Sequence, residues 1–135
     1  MTAPVELGCG KAWMLADGIF EVAYDPTARV ELPHIQTMGA LMDSLREGKP
    51  LRVLSNLTLT GATAEAREYG ATAEHSARIS AVAMYGDNVV GRLVVRIFMA
   101  IQRPTFTLRV FSNRAEARAW LGSLAPEQKG QPTAD

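Results

Sequence analysis

The sequence predicts an α/β domain: a mixed, mostly parallel five-stranded sheet with an N-terminal β-hairpin and about four helices. Three observations predict it. Residues 79–121 read as strand, helix, strand, helix with almost no spare residues, and strands alternating with helices of this length imply parallel βαβ units. Asp17-Gly18 separates two strand-like runs, one of the strongest short hairpin signals. Between that hairpin and the next strand-like run, residues 33–47 carry an apolar stripe at helical spacing.

Each element follows in order. Residues 1–10 read as an irregular lead-in, and residues 11–16 and 19–24 as the two hairpin strands. In the second, Phe20, Val22 and Tyr24 share one face and Glu21 falls on the other. Asp25-Pro26-Thr27 is a turn, and Pro33 suits the first turn of the first helix. That helix aligns Ile35, Met38, Leu41, Met42 and Leu45, and ends at Gly48 with Pro50 beyond it. Residues 51–57 form the third strand. Residues 62–76 read as a shallowly packed helix, rich in alanine and poor in large apolar groups, which Gly70 divides in two. Residues 79–85 are the fourth strand, residues 88–101 an apolar helix halted before Pro104, and residues 105–111 the alternating fifth strand. Ser112-Asn113 opens the last helix, where Asn113 and Glu116 have capping-box spacing and Trp120 and Leu121 are expected to be buried as its anchor.

Length and composition bound the classes. At 135 residues the chain is one domain, residues 1–124, followed by a tail at 125–135 whose proline, glycine and polar content predicts disorder. Its 47% apolar and 21% charged residues are ordinary for a globular protein. Fourteen basic residues balance fourteen acidic ones, so no global field favours nucleic acid or an anionic membrane. The most apolar stretch, residues 93–101, is short and contains Arg96, so stable membrane insertion is not expected. The N-terminus does not read as a secretory signal. Cys9 is the single cysteine, which excludes an internal disulfide and fits a reducing cytoplasm.

No catalytic, cofactor or metal motif emerges. His34 and His75 are expected to face solvent, and Cys9 to be an incidental exposed thiol, since a nucleophile needs an activating partner. Gly8-Cys9-Gly10 precedes a strand, so it lacks the strand-to-helix context of a phosphate loop. The chain is not read as an enzyme.

The order hairpin, helix, then three strand–helix pairs resembles the STAS domain fold of bacterial anti-sigma-factor antagonists. It is more closely similar to the SpoIIAA-like set, which also resembles CRAL-TRIO lipid-transfer domains. The likeness spans about residues 11–122 and is strongest at the end, in Phe111, Ser112, Asn113, Glu116, Ala117, Trp120 and Leu121. The resemblance implies a regulatory module that acts by protein contact, and through CRAL-TRIO an alternative, a carrier or sensor of an apolar, lipid-like ligand. STAS antagonists carry a phosphorylated serine or threonine, preceded by aspartate, after the third strand. Here Ser55-Asn56-Leu57-Thr58-Leu59-Thr60-Gly61 lacks that aspartate. Thr60 and Thr63 are the candidate phosphosites, and the plainer reading of either is an N-cap.

The helix at residues 88–101 is the unusual element. At 100° per residue, Arg92, Arg96 and Arg103 line one stripe, with Val90, Val94, Ile97, Phe98 and Ile101 opposed to them and expected on the sheet. Val89 and Leu93 on one flank, and Val95 and Met99 on the other, leave an apolar arc wider than one buried face. The expected subunit or partner contact comprises Arg92, Val95, Arg96 and Met99. The arginines read as a solvated face before an acidic-partner site. The expected function is a non-enzymatic interaction module, dimeric or bound to another protein.

Overall fold

The structure is a computed structural model that describes residues 1–58 and 61–125. Its sheet has six strands in sequential order: β1 (Val5–Glu6), β2 (Gly10–Met14), β3 (Ile19–Tyr24), β4 (Leu51–Asn56), β5 (Ile79–Tyr85) and β6 (Thr107–Phe111). The first three pair antiparallel and the last four, from β3 on, parallel. The helices are α1 (Leu32–Leu45), α2 (Ala64–Gly70), α3 (Ala73–Ser76), α4 (Val89–Ile101) and α5 (Arg114–Gly122). The α/β class and the parallel βαβ half therefore stand as expected, with one strand and one short helix more than the sequence suggested.

The extra strand lies in the lead-in, where Val5 and Glu6 pair with Ala12 and Lys11. Two residues give too little alternation to read from sequence. This strand also corrects the reading of Cys9. Leu7 and Cys9 enter the core, Cys9 has no exposed surface, and burial pushes its thiol pKa up. It is a core residue, not an exposed thiol.

The hairpin forms where Asp17-Gly18 placed it, with Gly10 opposite Tyr24 and Met14 opposite Phe20. Its loop differs from a two-residue turn. Leu15 N–H bonds Ile19 O, Gly18 N–H bonds Leu15 O, and Gly18 has φ +84°. That is a three-residue loop whose last member takes the left-handed conformation glycine tolerates.

Strand order dictates the layers. Successive parallel strands advance across the sheet in one direction, and crossovers of one hand then fall on one face. Accordingly α1, α2 and α4 cover the face that carries Phe20, Val22, Val53, Val82 and Leu108. The opposite face carries Ile19, Leu54, Ala81 and Ala83, against which α5 brings Ala117 and Leu121. The weak helix does divide: Thr72 Oγ1 accepts from His75 N–H and starts α3.

Polar contacts hold α5 at both ends. Arg114 makes a two-pronged pair with buried Glu21 on β3, both contacts 2.7 Å. At the other end, buried Arg52 donates to the carbonyls of Leu121 and Leu124, and to Asp17 O in the hairpin. Helix C-terminal carbonyls carry partial negative charge, so a guanidinium there is favourable. Asn113 Oδ1 accepts from Glu116 N–H, the expected cap. Leu121 is fully buried, whereas Trp120 is only half-buried against Phe111, with Arg109 over both rings.

Candidate functional site

Two features stand out, and α4 contributes to both. Its first turn is fixed by Asn88, whose Oδ1 accepts from Val90 N–H while its Nδ2 donates to Thr58 O. Gly91 lets the helix sit down on the sheet end: a Cβ there would meet Thr58 O at 3.0 Å and Leu57 Cβ at 3.2 Å. Arg92 Nε donates to Gly86 O across the same corner. These contacts set the helix rotation, and the rotation decides what faces outward.

The outward side is apolar. Val89, Val90, Leu93, Ile97 and Ile101 are exposed, from 40% at Ile97 to 79% at Val89. At 100° per residue they form one continuous stripe, which at 1.5 Å per residue runs about 18 Å along the helix. The inner face is Gly91, Val94, Val95 and Phe98, with Met99 also packed on the core. This corrects the sequence-based placement. Val90, Ile97 and Ile101 do not pack on the sheet, and Val95 and Met99 are half-buried rather than the outward flank. The rotation follows from Gly91 and Asn88, whose contacts with residues 57–58 no helical wheel contains.

Arg92, Val95, Arg96 and Met99 do come together, lining a groove with Leu108 and Val110 of β6. Arg96 is exposed there, while Arg92 is half-buried and tied to Gly86. Thr63 is the N-cap of α2, its Oγ1 accepting from Ala66 N–H at 3.2 Å. Thr60 and residues 126–135 of the expected tail lie outside the described residues.

The second feature is a cavity of about 170 Å³ beneath α1, α2 and α4. The sheet supplies Val53, Ser55, Val82 and Met84, and the helices supply Ile35, Met38, Met42, Ala66, Gly70 and Phe98. Its few polar groups include Ser55, Thr58, Arg67 and His75. Its origin is legible in retrospect. The helix read as poor in large apolar groups offers Ala62, Ala66 and Gly70 here, so small side chains leave the volume unfilled.

His75 corrects a further expectation, since it is 3% exposed rather than solvent-facing. Its Nδ1 lies 3.2 Å from Arg78 Nη1, and the same guanidinium contacts Asp43 of α1 and Tyr69 of α2. Hydrogen bonds from Arg78, then from Arg46, hold the Asp43 carboxyl below its usual range. Burial, then the charge of Arg78, lowers His75 to about 4. His34 instead serves the start of α1, its Nδ1 accepting from Glu31 N–H.

A pH dependence follows from His75. Its folded pKa lies below the ordinary value of 6.5, so between the two the unfolded chain binds the extra proton. Stability from this group is complete above about pH 6.5 and falls toward pH 4, by at most about 1.4 kcal/mol per unit. Urea melts at pH 7 and pH 4.5 should differ in that direction, and His75→Phe should flatten the difference. An equal slope in the variant would assign the acid sensitivity to other groups.

Among the described residues no cluster of three or more His, Cys, Asp or Glu could hold a metal, and no helix is long and apolar enough to cross a membrane. What the fold and these features define is an α/β domain with an apolar cavity under its helical layer and an apolar helix face above it. Residues 13–125 match the family described as a domain of unknown function (DUF7793), and the chain belongs to that family. No curated protein and no solved structure matches the chain.

Proposed function

We propose that the protein is a non-enzymatic, STAS-like contact module of the cytoplasm that docks through the outer face of α4, first of all onto a second copy of itself. The observation that carries this reading is the unbroken exposed stripe of Val89, Val90, Leu93, Ile97 and Ile101. A surface helix ordinarily turns its polar side to water, and an exposed apolar face of this kind marks an interaction site. Self-contact suits it because the stripe contains no charge. An antiparallel pairing across a two-fold axis lays apolar on apolar and leaves Arg92, Arg96 and Arg103 along the Val89 edge of the seam. The element order, hairpin, helix and three strand–helix units, supports the STAS-like assignment.

Sedimentation velocity over a concentration series tests it. The wild type should associate, and Ile97→Glu should remain monomeric, with the urea midpoint of the wild type at concentrations low enough for the wild type to be monomeric too. A wild type that is monomeric at its highest soluble concentration would overturn self-contact. Val95→Glu is the wrong probe, because Val95 packs on the core and its loss would unfold rather than dissociate.

The cavity favours a second reading, a carrier or sensor of a small apolar ligand. Its volume is close to that of an engineered apolar cavity that takes up one benzene, and well below what a lipid chain fills.

A further inference from the structure

We infer that the cavity binds a small monocarboxylate with an aromatic or branched apolar body, its carboxylate received by Arg67. This rests on the ligand-binding reading and adds the chemical class. Apolar walls of Val53, Val82, Met38, Met42 and Phe98 select the body, and about 170 Å³ limits it to roughly one ring or a short branched chain. Arg67 selects the head. It lines the cavity, and among the described residues it has no carboxylate partner. Its Nη1 donates to Ala62 O, but its Nε is buried with no acceptor. A buried donor left without a partner keeps its desolvation penalty uncompensated, the more so on a charged group. A carboxylate removes that cost and adds a charge-assisted bond to the guanidinium. The other basic group that the described residues place on the wall, His75, is uncharged at neutral pH, so among the described residues the cation at the cavity is Arg67.

The chain carries its own reporters. Met38, Met42 and Met84 line the cavity, while Met1, Met14 and Met99 do not. With methionine methyls labelled with carbon-13, phenylacetate titrated into the full chain should shift the first three signals and leave the others in place. Phenylacetamide, of the same shape without the charge, should bind at least ten-fold more weakly. Arg67→Met should bring the two affinities to within about two-fold while the protein stays folded, because Arg67 is partly exposed. Equal affinity of acid and amide for the wild type would overturn the carboxylate assignment and leave an apolar-ligand site. Unmoved cavity methyls with both probes would overturn the assignment and the ligand-binding reading together.

Discussion

Leu121→Ala is expected to destabilise the protein by about 2–5 kcal/mol, toward the upper end of that range. Leu121 is fully buried, and α5 packs it against Ile19, Leu54, Ala81 and Ala83 on a face that, among the described residues, no other helix covers. Alanines on the sheet side cannot expand into the hole, so the cavity persists and the loss exceeds the transfer energy alone. Trp120→Ala should cost less despite its greater size, because Trp120 is half-buried and its ring already meets water. Urea unfolding of the two variants at pH 7 checks the order. A loss below about 1 kcal/mol for Leu121→Ala would mean that α5 is not a structural half of the domain.

The second large effect concerns Glu21. Its side chain is 4% exposed and meets Arg114, 42% exposed, in two bonds of 2.7 Å. Removing the arginine strands a carboxylate against the sheet, and breaking such a pair costs about 3–5 kcal/mol. The half-exposed position of Arg114 lets water reach the carboxylate, so about 3 kcal/mol is expected for Arg114→Met. Adding Glu21→Gln should restore part of the loss, since the stranded charge is then gone. A double variant no better than Arg114→Met would show that the carboxylate was not the source of the cost.

Much of this fold was legible because long elements announce themselves by period and punctuation. β5 has the limits its sequence predicts, 79–85, and Asn113 caps the last helix as its spacing from Glu116 predicts. The misses have physical causes. The strand at Val5–Glu6 is two residues long, and burial of Cys9 and His75 depends on partners distant in sequence. Glu21 and Arg114 stand 93 positions apart, beyond any local pattern. The width of the apolar arc on α4 was visible in the residues, and it pointed correctly to an outward apolar face. Its direction was not, because Gly91 and Asn88 set it through contacts with Leu57 and Thr58. The cavity was foreshadowed only by the small residues at 62–70, which read as weak packing.

The proposed contact between copies of this chain through the outer face of α4 is tested by a cysteine placed at the middle of that face. The native thiol does not interfere, since Cys9 has no exposed surface. Leu93→Cys places one accessible thiol on the stripe, and Ala115→Cys places another exposed one on α5 across the sheet. Under mild oxidation, Leu93→Cys is expected to form a covalent homodimer rapidly, and Ala115→Cys to remain largely monomeric at the same concentration. Equal slow cross-linking of both variants, the signature of random collision, would contradict the account.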